Sequence, residues 1–289
     1  MNNVKTVMLL TALTVLLVLV GGAVGGQSGM MMAFVLAFVM NMGSYWFSDK
    51  IALSMSGAHA VSEEEAPELH RIVEEVASQA GVPKPRVHII ESEAPNAFAT
   101  GRDPNHAAVA VTTGIMNLLT RRELVGVLGH ELGHVRNRDI LISSIVATVA
   151  GAITMLAHMA MWGLMFGGFG RRDDGEEEGG GIANLAFGLM MVILAPIAAA
   201  VIQLAISRAR EYQADATGAE IVHDPLALAS ALEKLERGVQ AVPANANPAT
   251  AHLYIVSPLT GGAIAGLFST HPPLAERVAR LRQMAGMVA

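Results

Sequence analysis

Long apolar runs alternate along this sequence with segments in which apolar and polar residues recur periodically. Residues 6–48 contain no Asp, Glu, Lys or Arg, and the GGQSG sequence of residues 25–29 interrupts this run near its middle. The parts on either side, at about 7–24 and 30–47, approach the roughly 20 apolar residues that a helix needs to cross a bilayer. The pattern predicts two N-terminal transmembrane helices in residues 1–48. The first could instead be a cleaved signal sequence, but a second apolar run follows it directly.

A second pair of apolar runs covers residues 140–207. Residues 140–170 and 179–207 contain no Asp, Glu, Lys or Arg, and an acidic, glycine-rich loop begins at residue 171 between them. Each run is long enough to cross a membrane with some tilt, which predicts a second transmembrane helix pair. Because Gly, Ala and Thr dilute both runs, buried core helices or a re-entrant hairpin are the alternatives.

Residues 49–139 have the periodic pattern of a water-exposed domain. Apolar residues recur at helical spacing between residues 65 and 80, and Gly81 and Pro83 follow, which predicts a helix that ends there. Three short segments rich in β-branched or small apolar residues come next, at 86–91, 94–100 and 107–112, with turn-forming residues between them. We expect a small sheet that packs against the following helix.

That helix contains the sequence HELGH at residues 130–134. Residues four apart lie on one face of a helix, so His130 and His134 can reach one metal ion. Glu131, about 100° around the helix, then faces the open coordination position, as in zinc hydrolases. A Thr-x-x-Glu capping box at residues 120–123 predicts where the helix begins.

The chain has no cysteine, so a zinc ion has to be held by histidine and carboxylate ligands. Glu211 and Asp215 follow the last apolar run and lie four residues apart, on one helical face. Glu211 can complete a His-His-Glu set that leaves one coordination position open. Asp215 can accept a hydrogen bond from the non-coordinating nitrogen of a ligand histidine.

Composition and charge agree with a membrane protein. Hydrophobic residues make up 52% of the chain and charged residues only 15%, while the net charge of −6 gives no indication of nucleic-acid binding.

The basic residues predict the orientation in the membrane. With four crossings, most basic residues next to the spans fall on the same side: Lys5, Lys50, Arg121, Arg122, Arg136, Arg138, Arg208 and Arg210. By the positive-inside rule, both termini and the metal-binding domain should face the cytoplasm.

Four motifs occur in a specific order: NAFATG at 96–101, HELGH at 130–134, SRAREYQADATGA at 207–219 and FSTHPPLAERVARL at 268–281. Together they resemble the HtpX-type bacterial membrane zinc metalloproteases, relatives of the CAAX prenyl proteases, and the resemblance covers nearly the whole chain. It implies a multi-pass endopeptidase of the bacterial inner membrane that removes damaged or misassembled membrane proteins, often in a stress response. Matching motif by motif, the zinc ligands are His130, His134 and Glu211, the catalytic base Glu131, the supporting carboxylate Asp215 and the HPP histidine His271.

The predicted fold is a mainly α membrane protein with four transmembrane helices and a cytoplasmic α+β, zincin-like protease domain. The first part of that domain is residues 49–139 and the second part is residues 208–289. One Zn²⁺ per chain is the expected cofactor. Peptide segments of membrane proteins are the expected substrates, and the lipid bilayer is the expected surroundings.

Two further roles follow from the residues. His271, held by Pro272 and Pro273, is the candidate donor to the oxyanion of the transition state, and helix capping or packing is its alternative role. The extended segment that contains Asn96, Ala97 and Phe98 can present a sheet edge to which a substrate adds as a strand.

Two other functional classes compete with a protease: a catalytically silent membrane scaffold and a transporter. A structural zinc site in a scaffold rarely leaves a coordination position open. A transporter usually needs charged residues within its membrane spans, and these spans contain none.

Overall fold

The computed structural model describes residues 2–143, 145, 208–241, 253–256 and 272–286. Within these ranges the chain is mainly helical and has one four-stranded mixed sheet. The helices are α1 (Asn2–Met55), α2 (Pro67–Ala80), α3 (Thr113–Leu118), α4 (Arg121–Arg136), α5 (Arg208–Val222), α6 (Pro225–Ala241) and α7 (Leu274–Met284). The strands are β1 (His59–Ala60), β2 (Arg86–Ile90), β3 (Ala97–Gly101) and β4 (Ala107–Thr112).

The helical segment α1 reverses direction within its length. Gly26 has φ +56°, a left-handed conformation that glycine adopts without steric cost. The Asn41 side chain donates hydrogen bonds to the Leu10 carbonyl at 3.2 Å and to the Thr14 hydroxyl at 2.8 Å. Residues 10–14 therefore lie beside residue 41, and the reversal falls within the interruption predicted at residues 25–29.

One segment of the described chain, Gly26–Phe47, is long and apolar enough to cross a membrane: it has 22 residues, and an 18-residue window within it has a mean hydropathy of 1.5. Most side chains of that window are not covered by protein, since 6% of the window is buried. The predicted third and fourth spans and the acidic loop between them lie almost entirely outside the described residues. Only residues 140–143 and 145 of that region are described, and they are helical.

The sheet has the strand order β1-β2-β4-β3, with β2 parallel to β4 and the other pairs antiparallel. The three longer strands fall where the β-rich segments of the sequence predict them. The two-residue strand β1 was not predicted, because two residues are too few to show a period. Strand β3 is an edge strand, and Ala97 pairs with Val111 in its register with β4.

Helix α4 occupies the centre of the main hydrophobic core. Its residues Val127, Leu128 and Leu132 are fully buried among side chains of α2, α6 and the sheet. Helix α2 contributes Ile72, Val73 and Val76, and burial of each such side chain stabilises the fold by roughly 1.5–3 kcal/mol. The predicted end of α2 is confirmed by Gly81, a C-cap residue with φ +68°. The core thus holds α4 between the sheet and the C-terminal helices.

Candidate metal centre

Three potential ligands converge where α4 packs against α5. His130 and His134 lie one turn apart on α4, and Glu211 lies in the first turn of α5. The Nε2 atoms of His130 and His134 are 3.7 and 3.6 Å from the two Glu211 carboxylate oxygens. The ligand atoms of all three residues lie within 4.8 Å of one another.

This donor set fits a zinc ion. Bond lengths near 2.1 Å and a tetrahedral arrangement place neighbouring ligand atoms about 3.4 Å apart, and the distances to Glu211 exceed this by a few tenths of an ångström. Two imidazoles and one carboxylate are ligands that zinc prefers, and a set of three leaves a fourth position for chemistry. His130 and Glu211 are buried, at 1% and 7% exposure.

Small residues let the two ligand-bearing helices approach closely. A Cβ added at Gly218 of α5 would lie 2.6 Å from the His130 backbone nitrogen and 2.8 Å from the Gly129 carbonyl carbon. One added at Gly133 of α4 would lie 3.1 Å from the Ala214 carbonyl oxygen. Because no side chain separates the backbones at these positions, Glu211 can reach the histidines of the neighbouring helix.

The start of α4 is fixed by the predicted capping box, which the structure confirms between Thr120 and Glu123. Glu123 also accepts hydrogen bonds from Ser230 at 2.6 Å and Lys234 at 2.7 Å, so it joins α4 to α6. Burial alone would raise the pKa of Glu123, but these partners outweigh it and lower the pKa to about 2.

Asp215 lies beside the first histidine, one of the two that the sequence offers it as a partner. The Nδ1 atom of His130 lies 2.9 Å from Oδ1 of Asp215, which leaves Nε2 directed toward the metal position. Asp215 in turn accepts two hydrogen bonds from the Arg277 guanidinium, from Nε at 2.8 Å and from Nη2 at 2.7 Å. Burial alone would raise the pKa of Asp215, yet the Arg277 charge holds that pKa well below its ordinary value.

Arg277 is a residue whose part in the site was missed at the sequence level. It is 1% exposed and also donates to the Ile255 carbonyl at 3.0 Å, so it ties α7 and residues 253–256 to the centre. A signal was present in the sequence. Arg277 lies on the same helical face as the apolar residues Leu274, Val278 and Leu281, where a charge requires a buried partner.

Asp139 is a second carboxylate that the sequence reasoning missed. Its Oδ2 lies 3.3 Å from Nδ1 of His134, just beyond the end of α4, and the residue is 4% exposed. Burial alone would lower the pKa of His134, but the Asp139 hydrogen bond and the Glu211 and Glu131 charges raise it to about 9. Each histidine therefore has its own carboxylate partner on the nitrogen that faces away from Glu211.

Glu131 points toward the sheet rather than into the ligand set. Its Oε2 accepts a hydrogen bond from the Ala99 backbone N–H at 2.9 Å, and the residue is 5% exposed. Burial is the largest influence on its pKa and raises it above the ordinary value. A buried carboxylate with a raised pKa next to a metal position has the properties of a general base.

The predicted substrate-binding residues lie at and before the edge strand. Asn96 is 2% exposed, and its side-chain oxygen accepts a hydrogen bond from the Ile255 N–H at 3.2 Å. Ala97 and Phe98 are in β3, where Phe98 pairs with Ala110 of β4. The Ala99 N–H points away from β4, toward Glu131, so this edge of β3 faces the metal centre. His271 lies outside the described residues.

Comparison with known proteins agrees with this site. A model of Peptidase family M48 matches residues 63–285. Protease HtpX homologs are similar over almost the whole length. The Syntrophobacter fumaroxidans protein is 57% identical over 98% of this chain and 99% of its own. The Pyrococcus furiosus protein is 56% identical over 98% of this chain and 96% of its own.

A solved structure, that of S. mikatae Ste24p, shares the fold with a TM-score of 0.52 at 20% identity. The similarity covers 96% of this chain, which spans 64% of the length of Ste24p. The fold therefore recurs inside a longer protein.

Proposed function

This chain belongs to peptidase family M48, and we propose that it works in a bacterial inner membrane, where it cleaves cytoplasmic segments of damaged or misassembled membrane proteins. The predicted resemblance is confirmed, and the enzyme is a zinc metallopeptidase with a His-His-Glu metal site. One observation carries the proposal: the ligand set of His130, His134 and Glu211 lies in a chain that also contains the exposed apolar segment Gly26–Phe47.

The membrane placement is supported by the exposed side chains of α1. Phe34, Leu36 and Phe38 are each more than 50% exposed, although residues two apart lie on nearly opposite faces of a helix. A helix that is apolar on all sides and not covered by protein is typical of a membrane span. We propose four crossings, two in residues 1–48 and two in residues 140–207. Residues 49–139 and 208–289 then form the protease domain on the cytoplasmic side.

This arrangement puts the chemistry close to the membrane surface. Helix α4 ends at Arg136 and is separated by three residues from the third apolar run, and Glu211 comes four residues after the fourth run. At about 1.5 Å per helical residue, the metal centre lies within roughly 5–15 Å of the hydrocarbon layer. Substrates are then cut where they leave the bilayer, because a backbone inside it stays helical and fully hydrogen-bonded.

Zinc held by the three ligands supplies Lewis acidity that activates water and polarises a peptide carbonyl. Glu131 takes the proton of the attacking water at a carboxylate oxygen and then delivers it to the leaving amine nitrogen. The Ala99 N–H keeps the Glu131 carboxylate oriented at the edge of the sheet. Asp215 and Asp139 hold the two histidine rings so that their Nε2 atoms face Glu211.

Substrate binding by strand addition is supported by the position of β3. In an antiparallel pair, backbone groups point alternately toward and away from the partner strand. Since the Ala99 N–H points away from β4 and donates to Glu131, the backbone groups of Ala97 also point away from β4. A peptide that pairs with Ala97 along this edge would lie beside Glu131. Asn96 anchors the start of the edge to residues 253–256. Backbone pairing tolerates varied side chains, which suits a protease with many substrates.

For the oxyanion we propose His271 as a donor in addition to the metal, on the resemblance and on its place before α7. Arg277, which contacts both Asp215 and residues 253–256, lies six residues further along the same segment.

Mapping of cleavage sites tests the proposal. The detergent-purified chain is reconstituted with a destabilised membrane protein of known topology, and the products are sequenced by mass spectrometry. We expect cuts in cytoplasmic loops and tails that stop when zinc is chelated and resume when zinc is returned. Cuts chiefly in outward-facing loops, or cleavage that persists without zinc, would overturn the proposed function.

A further inference from the structure

A cavity of about 620 Å³ lies away from the metal centre, at the C-terminal end of the apolar segment Gly26–Phe47. The last two residues of that segment, Trp46 and Phe47, form part of its wall. Four basic side chains also line it, from three separate parts of the chain: Lys50, Lys84, Arg86 and Arg102. Its volume is within the range of small-molecule sites.

Two of these basic side chains already have close acidic partners. Arg86 forms an ion pair with Asp49, and Lys84 lies 2.6 Å from Glu63 and 3.3 Å from Glu74. Their charges are largely balanced within the protein. Lys84 and Arg86 therefore line the cavity but do not need an anionic ligand to balance their charge.

The other two cations are available to a ligand. Within the described ranges Lys50 forms no ion pair, and its ammonium lies 5.5 Å from the centre of the Phe47 ring. The Arg102 Nε atom is 3.6 Å from Oδ2 of Asp103, but His106 Nδ1 also lies 2.9 Å from that oxygen, and Oδ1 accepts from the backbone N–H groups of Asn105 and His106. An anion in the cavity would therefore find two cations whose charge is not fully neutralised.

The aromatic partners of Lys50 and Arg102 indicate how deep these two cations lie in the bilayer. Arg102 stacks over the Trp46 ring at 4.9 Å, and Trp46 and Phe47 are 47% and 52% exposed. Tryptophan at the end of an apolar helix favours the headgroup level of a bilayer. If the segment crosses the membrane as proposed above, Lys50 and Arg102 lie at the height of lipid phosphates.

We propose that this cavity binds the headgroup of an anionic phospholipid, with Lys50 and Arg102 as its phosphate ligands. The Arg102 guanidinium can contact a phosphate through two parallel N–H groups, and Lys50 adds a mobile point charge. This inference rests on the proposed membrane placement. A lipid held here, beside β3, fixes the depth of the protease domain relative to the bilayer.

Native mass spectrometry of the full chain in a neutral detergent tests the site. The protein is titrated with phosphatidylglycerol, with phosphatidylcholine of the same acyl chains, and with inorganic phosphate. We expect phosphatidylglycerol to bind at least about tenfold more tightly than phosphatidylcholine, because only its net charge is negative. The double variant Lys50→Gln/Arg102→Gln should lose this preference.

The matched control is Arg237→Gln/Arg282→Gln, which removes the same number of charges from α6 and α7 and should bind phosphatidylglycerol like the natural chain. Equal losses in both double variants would show general electrostatic attraction and overturn the site. Binding of inorganic phosphate as tight as that of phosphatidylglycerol would show a phosphate site and overturn the lipid assignment. Lack of preference in the natural chain would also overturn it.

Casein cleavage, measured on every variant, separates this proposal from the proposed function. Lys50 and Arg102 have no part in the proposed chemistry, so cleavage should be retained and shows that each variant is folded. A chain that cleaves casein without preferring phosphatidylglycerol contradicts the lipid site alone. A chain that prefers phosphatidylglycerol but does not cleave contradicts the protease alone. If the double variant does not fold, Lys50→Gln alone, at an exposed position, should still weaken phosphatidylglycerol binding, and unchanged binding would overturn the site.

Discussion

At the scale of single residues, the centre is organised by carboxylates behind its ligands. Asp215 and Asp139 each lie against the outer nitrogen of one histidine, and Arg277 compensates the charge of Asp215. A buried carboxylate without such a partner would be costly to ionise. Arg277 is therefore a positioning residue, which acts on the metal site through Asp215 and His130.

Replacing Arg277 with Gln should weaken zinc binding by about ten- to a hundredfold, because Asp215 loses the partner that keeps it charged and oriented. Stability should fall by about 3–5 kcal/mol, the usual cost of breaking a buried ion pair. Arg277→Lys should retain part of the zinc affinity because it keeps the charge. Zinc affinity is measured by competition with a chelator at a temperature where each variant is folded.

The control for this prediction is Arg280→Gln on the same helix, where the arginine is exposed and pairs with Glu276. If Arg277→Gln binds zinc as tightly as this control, Arg277 has a purely structural role.

Glu123 should make stability depend on acid pH. Its folded-state pKa of about 2 is below the ordinary value of 4.5, so its contribution is full above pH 4.5 and disappears as the pH falls toward 2. Glu123→Gln should therefore reduce the free energy of unfolding by on the order of 2–3 kcal/mol near neutral pH. The difference from the natural chain should shrink below pH 4.5.

Urea unfolding at a series of pH values measures this difference, with the exposed Glu64→Gln as its control. A deficit in Glu123→Gln that stays constant down to pH 3 would show that the capping and cross-helix bonds do not depend on charge.

At the scale of elements, the helix and strand positions were predictable where a local pattern determines them. The capping box at Thr120, the end of α2 at Gly81 and the three longer strands follow from neighbouring residues alone. The partners of Arg277 and Asp139 could not be predicted in this way, because a buried ion pair depends on which elements meet in three dimensions. The pairing of α4 with α5 was anticipated from the zinc ligands and from the positions of the two helices next to the third and fourth apolar runs.

The close approach of α4 and α5 gives a prediction at this scale. Gly218→Ala should separate the helices, since the added methyl group would lie 2.6 Å from the His130 backbone nitrogen. Separation moves Glu211 away from the histidines, so zinc affinity and cleavage should fall together although no ligand is changed. Overpacking of this kind typically costs about 1–3 kcal/mol of stability.

The matched control is Gly43→Ala, also at a helical glycine, where nothing lies within 4 Å of the added Cβ. Gly218→Ala protein with the zinc content and cleavage rate of this control would show that the contact does not set the ligand distance.

At the scale of the whole molecule, the proposed topology has both termini and the metal centre on the cytoplasmic side of four crossings. The natural chain has no cysteine, so single cysteines report on topology without background. Cysteines in residues 25–29 and 172–180 should react with a membrane-impermeant thiol reagent in intact cells. A cysteine near residue 62 should react only after lysis, because it lies in the protease domain. Labelling near residue 62 from outside would reverse the proposed orientation.

Zinc content and casein cleavage, measured on the same purified samples, test whether the zinc at His130, His134 and Glu211 carries out cleavage with Glu131 as the base. Glu131→Gln should retain one zinc per chain and lose cleavage, because the amide has the shape of the carboxylate but cannot accept the proton. Glu211→Ala should lose both zinc and cleavage, and Glu220→Gln, at an exposed position of α5, should behave like the natural chain. Full zinc occupancy without Glu211 would show that the third ligand lies elsewhere, and cleavage by Glu131→Gln within about tenfold of the natural rate would show that Glu131 is not the base.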